Sequence, residues 1–365
     1  VSKPTFFPRY KKLAEILRKR ILHGSYAIKP MPSQRRLAEE FNVNYMTVRR
    51  GLKLLEGEGL LPNPNRSRVK KTAEHRGKNH FNFGFLMPTL GSGALELWRT
   101  SIEQATIGKP WSVRSLLYMH WDDPILMDAI AGFDGVFLNP IAEKLPESIA
   151  STLRSKGRIV VVDHDFSSYG VPSIRIFPPL FIQRLLDHLA SLGHTCIGCF
   201  NTQAEDFEVR ERVDQWRFWM DIHGFTGRLV NETNTVRGNP QMKAKECMDK
   251  ILSEPVRKET AWFFVTAPAA IGAMRSIFDH GLTPGRDIAV CTANGEGLAA
   301  LLNPRLTSLE PADPTPFVSY CMDWMSKKDQ VWRGPLLMQP SDLQLMVYES
   351  TQPPDLKPRP GIRRK

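Results

Sequence analysis

Residues 29–61 run KPMPSQRRLAEEFNVNYMTVRRGLKLLEGEGLL, a pattern of two short helices joined by a tight turn. Ser33, just after Pro32, stands where an N-cap belongs, and Leu37, Ala38 and Phe41 give the first helix one apolar stripe. Asn42 breaks the pattern. Asn44 is then placed to cap a second helix in which Val48, Leu52 and Leu55 recur at helical spacing and face inward. Tyr45, Thr47, Arg49 and Arg50 are left outside on its first turns. A helix with one face packed and its N-terminal side chains projecting has the form that a helix-turn-helix inserts into the DNA major groove. Asn44, Tyr45, Thr47, Arg49 and Arg50 are therefore candidate DNA-contacting residues.

The surroundings agree with that expectation. Pro8 to Gly24 forms an opening helix with Tyr10, Leu13, Leu17 and Ile21 on one face and lysines and arginines on the rest. Residues 1–78 hold 19 Lys and Arg against 6 Asp and Glu, a net +13, whereas residues 79–355 carry 25 against 32, a net −7. The whole chain of 365 residues has a formal charge of +11, so its positive field belongs to the segment bearing the helical pair. That is the partition a phosphate-binding module requires.

The run M-P-S-Q-R-R-L-A-E-E-F-N-V-N-Y-M-T-V-R-R-G-L-K-L-L-E-G-E-G-L-L resembles the winged helix-turn-helix of the GntR family of bacterial repressors over roughly residues 8 to 72. The resemblance implies DNA contacts at Arg35, Thr47 and Arg49. Two places depart from the family pattern. Tyr45 stands where the family usually has an arginine, and the wing reads P-N-P-N-R-S-R-V, which puts Arg66 and Arg68 at its tip for groove or phosphate contact. Residues 73–79 read as a polar, basic linker.

From His80 onward short apolar runs alternate with helical segments. NFGFLM, VRSLLYM, DGVFL, RIVVV, SIRI, CIGCF, AWFFV and DIAVC are strand candidates. Between them Ala94 to Ile107, Leu145 to Lys156, Leu180 to Leu192, Glu208 to His223, Gln241 to Leu252 and Ala269 to His280 read as helices. Repeated strand and helix of these lengths predict an α/β fold with parallel sheets covered on both faces, arranged as two lobes. The phrases G-F-D-G-V-F-L-N-P, R-I-V-V-V-D-H-D, H-L-A-S-L-G-H-T-C-I-G-C-F, I-G-A-M-R-S-I-F-D-H-G-L-T-P-G-R-D-I-A-V and L-A-A-L-L-N-P-R-L-T-S-L resemble, in order and spacing, the LacI/GalR-type regulators. Their effector domains look like periplasmic sugar-binding proteins. The expected domains are a DNA-binding head at 1–72, the linker, an effector-binding and dimerisation domain at 80–345, and a basic, Pro-rich tail at 346–365.

Carried over residue by residue, this second resemblance implies that Arg212 reaches a ligand's hydroxyls and that Asp163 lies at the edge of the same pocket. Asn294 falls where the family has an aspartate, Thr266 and Ala267 replace its Asn-Asp pair, and Phe177 to Phe181 replace a stretch that usually carries an aspartate and a glycine. The site has lost carboxylates and gained apolar surface, which points to a different ligand. Trp98, Trp121 and Trp262 are candidates for a stacking face, Trp98 first among them.

Other chemistry finds little support. Five cysteines make no disulfide framework, and Cys196 and Cys199, three apart on a strand, face opposite ways and suit no shared metal. No Gly-rich phosphate loop, nucleophile elbow or zinc-protease helix occurs, and no run of about eighteen apolar residues could span a membrane. The expectation is a cytoplasmic regulator, not an enzyme, with no cofactor and no metal. It would bind double-stranded DNA at a pseudo-palindromic operator as a homodimer, under control of a carbohydrate-like effector. The alternative is a constitutive, architectural DNA binder whose second domain only dimerises.

Overall fold

A computed structural model describes residues 8–22, 25–26, 31–61, 80–89, 93–204, 207–233, 238–327 and 331–352. Arg66, Arg68 and the expected linker lie outside these ranges. The head comprises α1 (Arg9–Leu22), α2 (Gln34–Glu40) and α3 (Tyr45–Gly57). Leu13, Ala14, Leu17 and Ile21 of α1 close over Leu37, Val48, Leu52 and Leu55 to make one small core. Gly51 lets α1 and α3 approach closely, since a Cβ there would sit 3.2 Å from the Tyr10 carbonyl oxygen.

The chain continues through β1 (Phe81–Pro88), α4 (Gly93–Gln104), β2 (Trp111–Tyr118), α5 (Pro124–Gly132), β3 (Gly135–Leu138), α6 (Glu147–Lys156), β4 (Ile159–Val162) and β5 (Ser173–Ile174). It then forms α7 (Ile182–Ser191), β6 (Ile197–Asn201), α8 (Phe207–His223), β7 (Leu229–Asn231), α9 (Pro240–Leu252), β8 (Ala261–Phe264), α10 (Ala267–Asp279) and β9 (Ala289–Asn294). β10 (Thr307–Glu310), α11 (Thr315–Met325), β11 (Leu337–Met338) and β12 (Gln344–Met346) complete it. Two compact units result; Gly93 and Ala94 at the start of α4 belong to the second, and the chain passes between the units at 94–95, 174–175, 313–314 and 338–339. The first holds the head helices together with the sheet β11-β5-β4-β3-β1-β2, whose pairings are all parallel. The second holds the sheet β12-β10-β9-β8-β6-β7, parallel except where β12 runs against β10.

Parallel strands covered on both faces must be apolar on both, and alternation decides which side chain goes where. On β8, Ala261 and Phe263 join one core with α7 and α8, while Trp262 and Phe264 join the opposite core with α9 and α10. Trp262 lies across β6, where Gly198 is its register partner and a Cβ would fall 2.3 Å from the indole. The strand candidate SIRI shortens to Ser173–Ile174, because Arg175 turns away to an ion pair. α10 begins at Ala267, two residues earlier than expected, since Pro268 is tolerated in a first turn where no backbone donor is needed. Residues 346–352, expected in the tail, are instead packed into the second unit. The Ser350 hydroxyl donates to the Val290 carbonyl at 2.6 Å, and Arg305 grips Glu349.

Arg175 is buried at 7 % exposure and donates to Glu208 Oε1 through Nε at 3.1 Å and Nη2 at 2.6 Å, with Glu211 as a further partner. Burial works against its charge, and the two carboxylates more than offset this, so its pKa lies above the ordinary arginine value. Both carboxylates sit in the first turns of α8, so the pair fixes where that helix starts. Arg175→Met should lower stability by about 3 kcal/mol, because Glu208 keeps a buried charge without its guanidinium. Denaturant titration measures this, and a loss under about 1 kcal/mol would show that the pair is replaceable.

Candidate functional site

In the head, each cap has a specific acceptor. The Ser33 hydroxyl accepts from the Arg36 backbone N–H at 3.4 Å, and Asn42 at φ 47° makes the turn. The Asn44 side-chain oxygen accepts from both the backbone N–H and the hydroxyl of Thr47, each at 2.7 Å. With Val48, Gly51, Leu52 and Leu55 buried, α3 turns Met46, Arg49, Arg50 and Lys53 outward, and all four are exposed. Tyr45 is exposed beside them, and Arg35 is exposed on α2. Arg18 holds Glu58, and Arg20 holds Glu40 while lying over the Phe41 ring, so these two arginines brace the head. The DNA-contact candidates thus lie on α2 (Arg35), at the N-cap of α3 (Asn44) and in the opening turns of α3 (Tyr45, Thr47, Arg49 and Arg50); Met46 was not singled out by the sequence pattern.

In the second unit, β6 is followed on one side by β7 and on the other by β8. Ligands of open α/β sheets bind beyond the carboxyl ends of strands at such a reversal of order. Arg212, on α8 after β6, spans this reversal: its Nη1 donates to the Val265 carbonyl at 3.1 Å, just beyond β8. Its guanidinium carbon lies 5.0 Å from the centroid of Phe177, a cation–π contact. The Arg212 Nε, the Thr266 hydroxyl and the Gln203 side-chain oxygen are buried and have no hydrogen-bond partner among the described residues. Thr266 stands at the N-cap of α10 without a side-chain cap bond. Asn294 is buried, and its side-chain oxygen accepts from the Glu296 backbone N–H at 3.2 Å, which holds Glu296 at φ 47°. Burial pushes the Glu296 carboxyl up, and the Arg212 charge opposes it.

The second unit therefore brings together Arg212, Thr266 and Asn294 from the sequence-derived set. Asp163 belongs to the first unit, half-buried at the end of β4 with φ 69°. Trp98 is also there, on α4 at 0 % exposure, with its ring face out of reach of solvent and its indole Nε1 without a hydrogen-bond partner among the described residues. Trp121 and Trp262 are buried in cores as well. Cys196 is half-buried ahead of β6, and Cys199 points into a core where burial raises its pKa. Glu296 and Gln203 escaped the sequence, because a lone acid after Asn-Gly and a lone amide after a strand carry no pattern.

Residues 9–69 match the family model for bacterial regulatory proteins of the gntR family, and residues 186–315 match that for a periplasmic binding protein-like domain. The HTH-type transcriptional repressor PurR of Aliivibrio fischeri (strain MJ11) is 32 % identical over 124 residues, 33 % of this chain and 36 % of that protein. The chain thus spans about a third of the length of that curated relative. Among solved structures, the lac repressor dimer bound to operator and the anti-inducer ONPF has a TM-score of 0.60 at 17 % identity, covering 76 % of this chain and 96 % of its own. A LacI family transcriptional regulator from Enterococcus faecium with bound ribose gives 0.61 at 16 %, covering 74 % and 99 %. At these identities the likeness shows the fold.

Glu296 supplies a pH test. Its native pKa is raised, so as pH climbs past the ordinary carboxylate value the unfolded chain releases its proton first, and stability falls until the native group ionises too. Glu296→Gln should remove that fall. Thermal melts across the acidic to neutral range compare the two proteins, and parallel curves would show that this carboxyl is not held protonated.

Proposed function

We propose, from a chain that joins a gntR-family helix-turn-helix head to a periplasmic-binding-protein-like domain, that this protein is a transcriptional regulator whose operator binding is controlled by a small carbohydrate-like molecule. The observation that carries the reading is α3: capped by Asn44, packed along one face, and exposing Arg49, Arg50 and Lys53 along the other, in the segment that bears the chain's excess positive charge. One head reads only a few base pairs, too few for a genome, so the protein acts as a homodimer on a two-fold operator. Control by a ligand is supported by Arg212, Thr266 and Gln203, whose unpartnered atoms present two donors and an acceptor at the carboxyl end of a parallel sheet. Apolar cover from Phe177 beside a few placed polar groups suits a small polyhydroxylated ligand.

Two substitutions separate the halves of this function. Arg49→Ala should cost about 1 to 3 kcal/mol in operator affinity and relax preference at one base pair of each half-site. Equal weakening on all sequences in a DNA titration would make Arg49 a phosphate contact and not a reader. Arg212→Ala should leave the affinity for operator unchanged and abolish its response to the sugar or sugar acid that a thermal-shift screen identifies. A response equal to the parent's would remove Arg212 from the ligand site.

A further inference from the structure

The outward face of α3 opens with carbon. Tyr45 and Met46, in its first turn, are 47 % and 51 % exposed. Met46, Arg50 and Lys53 follow one another at helical spacing opposite Val48, Leu52 and Leu55, with Arg49 alongside. Tyr45 keeps its hydroxyl at the far tip of the ring, and the Thr47 hydroxyl hydrogen is engaged by Asn44 Oδ1 at 2.7 Å, with the Thr47 backbone N–H on the same oxygen. The turn that a reading helix pushes deepest into the groove therefore presents a thioether, a phenol ring and the methyl of Thr47. Its guanidinium and ammonium groups begin one turn later.

In the major groove the one apolar group on a base edge is the 5-methyl of thymine; the remaining features are hydrogen-bond donors and acceptors. An apolar side chain set over guanine or cytosine strips water from those groups and returns no bond, which is unfavourable. Set over thymine it buries methyl against methylene or ring. We infer that Tyr45 and Met46 read thymine 5-methyl groups, so that each half-site carries A·T pairs beneath the first turn of α3, while Arg49, Arg50 and Lys53 hold flanking guanines or phosphates. The choice of duplex DNA as occupant rests on the proposed function above, and on the cationic flank that complements a phosphate backbone.

The test uses the full chain and double-stranded DNA. Binding sites are selected from a random duplex pool, and each thymine of the recovered half-site is then replaced by uracil, which removes the methyl and keeps every hydrogen-bonding group. At one or two positions the swap should weaken binding roughly fourfold per methyl. In a Tyr45→Ala, Met46→Ala double variant the same swap should have no effect; both residues are exposed, and an unchanged melting temperature confirms that the head still folds. A recovered half-site indifferent to uracil at every thymine overturns the inference while leaving the DNA-binding reading in place. So does a swap that costs the double variant as much as the parent. Failure to recover any sequence overturns the reading and the inference together.

Discussion

A guanidinium taken out of water must keep its carboxylates, and Arg175 sets the second unit's geometry through that requirement. It holds Glu208 and Glu211 in the opening turns of α8, and Arg212 follows Glu208 by one helical turn on the same face. Val209, Val213, Trp216 and Trp219 anchor the same helix in the core. The charged network fixes its start and rotation, and the apolar stripe fixes its depth. Arg212 reaches the Val265 carbonyl because both are set. A buried ion pair adds little net stability; here its value is positional.

The head solves a similar problem with a neutral group. Asn44 gives one oxygen to two donors of Thr47, which orders the first turn of α3 before any DNA is met. Bracing comes from Arg18 with Glu58 and Arg20 with Glu40 across helices, so two cations are spent inside the bundle. Arg35, Arg49, Arg50 and Lys53 stay in solvent. Charge in the head is thus divided between groups that hold the fold and groups left in solvent, and an electrostatic count alone does not separate the two uses.

Much of this was legible in the residues. Local signals marked the head, since caps and apolar spacing lie within a few positions of one another: Ser33, Asn42 and Asn44 each take the role their chemistry predicts. Strands in the two sheets were legible as apolar runs, because burial on both faces leaves no polar alternation. Short pieces were not: β7, β10, β11 and β12 hold four residues or fewer, and their pairing depends on distant partners. α5 opens at Pro124 and α11 at Thr315, and neither was among the helices read from the residues: α5 is apolar nearly all round, so it shows no stripe. Of the candidate site, Arg212, Thr266 and Asn294 were legible in the residues. Glu296 comes within the reach of the Arg212 charge through topology, and Gln203 follows β6 at the same end of the sheet; a buried ring such as Trp98 looks the same in sequence whether it packs a core or stacks on a ligand.

Control by a ligand has an energetic requirement that these groups can be measured against. Moving a two-state protein from 1:99 to 99:1 takes about 5.5 kcal/mol of differential affinity. A buried polar atom left without a partner costs about 1 to 3 kcal/mol, and the second unit holds three near the reversal of strand order, on Arg212, Thr266 and Gln203. A ligand that satisfied all three in one state and none in the other would supply the needed difference, whereas one that reached a single group would not. Recognition of several oxygens at once is therefore what control demands. That favours a rigid, polyhydroxylated molecule, whose hydroxyls can accept from Arg212 and Thr266 and also donate to the Gln203 oxygen, over a small deprotonated anion, which has no proton to give that oxygen.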